Sequence, residues 1–305
     1  MKRRGVALTI PFNPSYYSNQ LFNYNKFYGH KGKSPFHGTY DKERYYKFLE
    51  EVKAFNISEQ EWPYFHIEDD FYSFNSYGYR TYEFDEVREG EFDLAIGCSY
   101  VEGLGVRQHE LWIHHYEQMA GVKVINLGKG GGSNTSTKYS LMSWLSGEFP
   151  KPRKIIILWT EPSRDTFIRE CGSYVNLNPA WAKINEIFDG SDLVINTLYH
   201  NSLQDSVIWC NKFIDVFSTC NVVAKSLNIP LYNFFPNFFW SETDVQRTEQ
   251  QTSFSGHVLN FDNVAGGWRK FGTMNFYPAA DGIHHGAQHQ LPLAKDIYRM
   301  THEEN

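Results

Sequence analysis

The sequence predicts a layered α/β fold built on a mainly parallel sheet. Three observations carry that reading. From about residue 90 onward, short apolar runs alternate with segments of helical spacing, the pattern of strands joined by crossover helices. The run Lys154-Ile155-Ile156-Ile157-Leu158-Trp159 has no polar alternation, as expected of a strand covered on both faces. Two of the runs end at glycine, one at Gly97 and one at Gly128-Lys129-Gly130-Gly131-Gly132, where strand-to-helix turns belong.

Residues 1–90 are polar, aromatic and irregular, and are expected to form an extension packed on a main domain of residues 91–305. Within the extension, Tyr45, Phe48, Val52 and Phe55 recur at spacings of three and four, which predicts a helix over 41–55. Phe71 to Tyr82 reads as two extended arms around an Asn/Gly turn. The main domain opens with a strand at Phe92–Ile96 and a helix over Val106–Ala120. A strand follows at Val122–Leu127 and a helix at Asn134–Leu145. Lys154–Trp159 is the next strand, Ser202–Leu227 a long helix, Ile229–Phe234 a strand and Ala287–Met300 a terminal helix. In such sheets, function collects at the carboxyl ends of the strands.

Composition narrows the class. The charge balance is 29 − 35 = −6 over 305 residues, which argues against a nucleic-acid binder held by phosphate contacts. An aromatic content of 17 % within 41 % hydrophobic residues argues against disorder. No stretch approaches the roughly 20 apolar residues of a membrane span, so no membrane partner is expected. The N-terminal apolar run, about five residues long, ends at Pro11, too short for a signal peptide. A cytoplasmic protein is therefore expected, with Cys98, Cys171, Cys210 and Cys220 as reduced thiols, since their spacing matches no metal or redox motif.

Three strand ends carry chemistry-bearing residues. Gly97-Cys98-Ser99-Tyr100 puts a serine just past a strand on a tight turn, where backbone amides at a helix start can face an anion; a serine in that place also serves as a helix cap. The Gly-rich turn 128–132 lacks the residue order of a P-loop, because Lys129 precedes the glycines. Its amides suit an oxyanion hole, and Ser133 or Asn134 suits a helix cap. In Asp281-Gly282-Ile283-His284 the carboxylate can orient an imidazole through one nitrogen and leave the other as a base.

Taken in order, Asp93-Leu94-Ala95-Ile96-Gly97-Cys98-Ser99-Tyr100, Ile125-Asn126-Leu127-Gly128-Lys129-Gly130-Gly131 and Asp281-Gly282-Ile283-His284 resemble the SGNH (GDSL-like) hydrolases, a family of esterases, lipases and carbohydrate deacetylases. The resemblance covers about residues 90–300, and Asn75-Ser76-Tyr77-Gly78-Tyr79-Arg80 upstream looks like the segment that precedes the nucleophile in members acting on sugar esters. It implies a three-layer α/β/α sandwich with a flavodoxin-like sheet. It also implies a serine esterase without cofactor or metal, in which Ser99 is the nucleophile, His284 the base and Asp281 its orienting acid, with Ser99 and Gly131 amides in the oxyanion hole. The expected partner is a small-molecule or carbohydrate ester. Aromatic, Asn-rich hydrolase-like proteins also occur in phage genomes, so a virion-associated, phage-encoded protein is the second expectation for its place.

Two positions depart from the family pattern. Cys98 stands where the family has Asp, and Glu161 in Trp159-Thr160-Glu161-Pro162-Ser163-Arg164 stands where an oxyanion-binding Asn is usual. Losing one such donor costs about 10²–10³ in rate, and Asn134 is the candidate to replace it. Trp159, Glu161, Arg164 and Tyr100 are the candidate substrate-binding residues. Two other readings remain. A non-catalytic carbohydrate-binding or structural protein would use the many rings for stacking. A metal-dependent hydrolase would use Asp281, His284, His285 and His289. Rings in the extension and in 234–240 are expected to wall the catalytic strand ends.

Overall fold

The computed structural model describes residues 32–36, 39–60, 62–146, 149–168, 174–177, 206–237, 239–259, 278–281 and 284–303. In chain order the elements are β1 (Gly32–Ser34), α1 (Thr39–Ala54), β2 (Tyr72–Phe74), β3 (Phe92–Gly97), α2 (Ser99–Glu102), α3 (Trp112–Ala120), β4 (Lys123–Asn126) and α4 (Asn134–Ser146). They continue with β5 (Lys154–Leu158), β6 (Asp165–Ile168), β7 (Tyr174–Leu177), α5 (Ser206–Ser226), β8 (Leu231–Pro236), α6 (Glu242–Thr252), β9 (His257–Leu259) and α7 (Ala287–His302).

The main sheet has the order β4-β3-β5-β8-β9, and every pairing in it is parallel. Side chains alternate across it because successive strand residues point to opposite faces. Leu94, Ile96, Ile125, Ile155, Ile157 and Phe235 meet Leu141 and Trp144 of α4 and Phe213 and Phe217 of α5. On the other face Ala95, Val124, Ile156 and Phe234 meet Tyr45, Leu49 and Val52 of α1, Trp112 and Tyr116 of α3, and Leu293 and Ile297 of α7. The result is the three-layer α/β arrangement that the alternating pattern requires. Asp93 is the one charge inside β3; Arg153 reaches both of its oxygens at 2.9 Å and Tyr116 donates to it at 2.9 Å, so the buried carboxylate is paired.

The sheet grows from β3 out to β4, then crosses back to β5 and on to β8 and β9. The connections leaving β3 and β5 therefore diverge, and a crevice opens at the carboxyl ends of that pair.

Several expectations change. The helix foreseen from Val106 starts only at Trp112, because Arg80 takes the Val106 carbonyl and Glu110 takes the Arg107 amide. Residues 108–110 form a single 3₁₀ turn instead. The supposed hairpin in 71–82 has one strand, β2, which pairs with β1. Asn75 shapes the turn that follows it, accepting from the Tyr77 and Tyr79 amides. The antiparallel pair β6 and β7, helix α6 and edge strand β9 carry no periodic signal strong enough to stand out in the sequence. Among the described residues, most rings of the extension pack the core and do not wall the site: Trp62, Tyr64, Phe71, Tyr72 and Phe74 are buried. Tyr16 and Tyr17 lie outside the described residues, as does Cys171. Cys98, Cys210 and Cys220 are free thiols. Among the described residues no helix is long and apolar enough to cross a membrane.

Candidate active site

Gly97 ends β3 where no side chain fits. A Cβ there would sit 2.5 Å from Val101 Cγ2 and 2.7 Å from the Leu158 carbonyl of the next strand. The chain then turns at Cys98, which keeps an extended backbone while its carbonyl accepts from the Val101 and Glu102 amides at 3.0 and 3.1 Å. Ser99 is thereby set at the start of α2, above the crevice between β3 and β5. Its amide has no hydrogen-bond partner among the described residues, as is usual for the first amides of a helix.

His284 comes to Ser99 from the far end of the chain. Its Nε2 lies 2.8 Å from Ser99 Oγ, and its Nδ1 lies 2.5 Å from Asp281 Oδ2. The other Asp281 oxygen accepts the His284 amide at 3.0 Å, so one carboxylate fixes both the backbone and the ring of the histidine. Burial alone would raise the Asp281 pKa, but the adjacent imidazole and its hydrogen bonds outweigh burial and hold the carboxyl down at about 2. It is ionised throughout the neutral range.

The turn that carries this pair is docked at two points and closed by a bond of its own. Ala280 donates to the Gly105 carbonyl at 2.7 Å, Trp62 Nε1 donates to the Pro278 carbonyl at 3.1 Å, and Ala279 donates to the His284 carbonyl at 2.8 Å. Gly105 has φ +79°, and a Cβ there would stand 3.0 Å from Asp281 Oδ1; only glycine meets both demands. The Gly105 amide donates to Tyr72, and Arg80 binds the carbonyls of Gly103, Val106 and Phe71 and the side chain of Gln108. The loop that receives Asp281 is thus held from behind by the extension.

The Gly-rich turn after β4 closes the other side. Gly128 touches α2 so closely that a Cβ would lie 2.2 Å from the Glu102 nitrogen. Within the turn, the Gly128 amide binds Asn126 Oδ1, the Lys129 amide the Gly97 carbonyl, the Gly132 amide the Lys129 carbonyl, and the Ser133 amide Ser136 Oγ. The Gly130 and Gly131 amides have no partner among the described residues, and Gly131 has φ +67°. The Asn134 carboxamide exchanges two hydrogen bonds with the Thr160 backbone, at 3.0 and 2.9 Å. One Nδ2 hydrogen remains outside that pair.

The other candidates separate into two groups. Trp159 does not reach the site: its ring is fully buried against Phe213 and Phe217, and its N–H donates to Asn233. Tyr100, Glu161 and Arg164 do lie along one flank. The Tyr100 ring packs edge-on to His284 at 5.2 Å and to Phe239 at 6.3 Å, and the Arg164 guanidinium lies 5.5 Å from the Phe239 ring centre. Burial pushes the Tyr100 hydroxyl pKa up, Cys98 and Asp281 add to the rise, and Arg164 opposes it. Glu161 accepts from Ser163 Oγ and faces Arg164 Nε at 3.5 Å. Phe239 carries no motif, so the sequence offered no signal for it.

The proposed metal cluster does not converge. Both ring nitrogens of His284 are engaged by Ser99 and Asp281, while His285 packs against Tyr100 and His289. Among the described residues no group of three His, Cys, Asp or Glu side chains is placed to hold an ion. The sequence also passed over a buried pair beneath the turn, Glu102 on α2 and Lys129. Burial pushes the Lys129 ammonium down to about 7, with Glu102 acting against it.

No family model matches the sequence, and the search of curated proteins found no match. Among solved structures, the chain is similar to the psychrotrophic esterase EstA from Pseudoalteromonas sp., at 12 % identity and TM-score 0.43, over 70 % of this chain and 97 % of that one. A lipolytic protein of the G-D-S-L family from Desulfitobacterium hafniense aligns at 11 % identity and TM-score 0.41, over 68 % and 98 %. A carbohydrate esterase aligns at 9 % identity and TM-score 0.42, over 72 % and 67 %.

Proposed function

We propose that the chain is a serine ester hydrolase acting on an O-acylated carbohydrate. The observation that supports it is the hydrogen-bonded series Ser99 Oγ–His284–Asp281, with spacings of 2.8 and 2.5 Å, at the crevice of a parallel sheet. A hydroxyl is a poor nucleophile unless a base stands within hydrogen-bond reach. On this reading Ser99 Oγ attacks the acyl carbon and its proton passes to His284 Nε2. The imidazolium formed is stabilised by the ionised Asp281. The carbonyl oxygen takes the negative charge and is met by the Ser99 and Gly131 amides. The tetrahedral intermediate collapses, the C–O bond to the alcohol breaks, and His284 returns the proton to that oxygen. Water then attacks the acyl-serine, giving its proton to the same nitrogen, and the acid and free Ser99 result.

The sugar part of the proposal rests on the flank. Tyr100 and Phe239 offer rings, and Glu161, Ser163 and Arg164 offer polar groups beside them, a mixture suited to a hydroxylated ring. A non-catalytic carbohydrate-binding protein is the second reading. One observation favours it: the Asn134 carboxamide is committed to Thr160, which removes part of the replacement for the missing side-chain donor.

A fluorophosphonate probe distinguishes the two. Covalent labelling of the wild type, lost in Ser99→Ala, is the expected result. A wild type that takes no label, or a Ser99→Ala protein labelled as well as the wild type, overturns the serine mechanism.

A further inference from the structure

The guanidinium groups of Arg80, Arg107, Arg153 and Arg164 are not equally satisfied. Arg80 makes four hydrogen bonds, Arg153 grips both oxygens of Asp93, and Arg107 is bound to Glu68, Glu110 and two backbone carbonyls. Arg164 is different. Its side chain is only 14 % exposed, yet the guanidinium makes no hydrogen bond to any described residue, and its Nε is fully buried with an ion-pair contact but no hydrogen bond. Among the described residues its one charge contact, Glu161 Oε2, stands off at 3.5 Å, and the other Glu161 oxygen is taken by Ser163. A mostly buried guanidinium with unfilled N–H groups is costly. It is held there by Phe239, one ring away from Tyr100, which packs on His284.

We propose that Arg164 binds a carboxylate carried by the ester substrate, so that the natural ligand is an acidic molecule, an acylated sugar acid in the carbohydrate case. A carboxylate accepts two parallel N–H bonds from a guanidinium and matches its planar fork. Arg164 is then a specificity residue that fixes the substrate along the Tyr100–Phe239 flank. Glu161 keeps the guanidinium oriented from its Nε side and leaves the rest of the fork to the ligand. The inference rests on the hydrolase reading, and its test separates the two.

The test compares esters that differ only in carboxylate against carboxamide. One pair carries the group in the acyl part (the mono-4-nitrophenyl esters of glutarate and of glutaramic acid). The other carries it in the alcohol part (4-acetoxyphenylacetate and 4-acetoxyphenylacetamide). In the wild type, kcat/KM for the carboxylate member of one pair is expected to exceed that of its amide by about tenfold or more. Arg164→Gln is expected to bring the two members to parity, and Arg164→Lys to keep part of the preference. Each ratio is taken within one variant, so a general loss of activity cancels. On the wild type alone, glutarate is expected to slow fluorophosphonate labelling where glutaramide does not, which keeps the test open if the variants fold poorly. No carboxylate preference in either pair, or a preference unchanged in Arg164→Gln, overturns the proposal. Failure of the wild type to take the label overturns the hydrolase reading instead.

Discussion

Replacing Arg80 by Leu removes the buried group that ties the extension to the loop receiving Asp281. Its guanidinium supplies Gly103, Val106 and Phe71 with a hydrogen bond each, and Gln108 with a fourth. Leu leaves three buried carbonyls without a donor, at about 1–3 kcal/mol each. Against this stands the desolvation of the guanidinium itself, which burial pushes down to about 10 with Tyr72 and Glu102 opposing; the mutant no longer bears that cost. Some carbonyls also recover water by relaxation. A net loss of about 3–5 kcal/mol is the expected balance, large against a total of about 5–15. Urea unfolding measures it. With a slope of about 2–3 kcal/mol/M, the midpoint should fall by about 1–2 M, with the slope unchanged. Activity should fall as well, although Arg80 bonds to none of Ser99, Asp281 and His284, because the Gly105 carbonyl holds Ala280 and hence Asp281. A midpoint shift below about 0.3 M would mean that the carbonyls find other donors and that the extension does not brace the site.

Three further outcomes are expected. Gly128→Ala forces a methyl to within 2.2 Å of the Glu102 nitrogen, so the Gly-rich turn must lift from α2; a loss of about 1–3 kcal/mol and slower fluorophosphonate labelling should appear together, and wild-type labelling would refute the role of this contact. Burial holds the His289 imidazole down at about 4, so the unfolded chain binds more protons below about pH 6.5. Stability contributed by the neutral ring is complete above that pH and is lost as pH falls toward 4, by at most about 3 kcal/mol; His289→Gln should flatten that part of the unfolding profile, and an unchanged slope would refute it. Asp281 has the opposite chemistry and the same acid side: with its pKa held near 2 by His284 against the effect of burial, its stabilisation is complete above about pH 4 and fades toward pH 2. The stability gap between wild type and Asp281→Asn should therefore shrink by about 2 kcal/mol across that range, and a gap independent of pH would refute the paired carboxylate.

The central strands and helices were legible because each buries an apolar pattern of one period. The unbroken β-branched run Ile155–Ile157 favours a covered strand, and α7 shows its apolar face at Leu293, Ala294 and Ile297. Ser99, Asp281 and His284 could be singled out as candidates through local cues of turn and spacing, Ser99 just past a strand and the Asp-x-x-His pair ahead of a helix. What the sequence concealed is long-range. Nothing in Val106–Leu111 signals that Arg80, 26 residues earlier than Val106, strips a helix carbonyl. Trp159 was misplaced because a strand's period gives two faces and no hint of which one is the core of α5. Asn134 is an oxyanion-donor candidate by position, and its two bonds to Thr160, which leave one Nδ2 hydrogen over, could not be read from the sequence.

The aromatic surplus of the extension follows from the same long-range geometry. His284 meets Ser99 across 185 residues of chain, and the extension supplies polar contacts to the turn and loop that bring them together. Trp62 binds the Pro278 carbonyl, Tyr64 binds the Ala287 amide and Glu110, and Tyr72 binds the Gly105 amide. Each of these rings buries a large apolar area while its single polar atom pins one backbone group. Phe could supply the area alone; Tyr and Trp add direction. If these polar tips set the spacing of His284 and Asp281 from Ser99, removing them should show it. Substitutions that keep the ring and remove the tip, such as Trp62→Phe or Tyr72→Phe, should lower activity more than they lower stability, whereas a packing role alone would lower both in proportion.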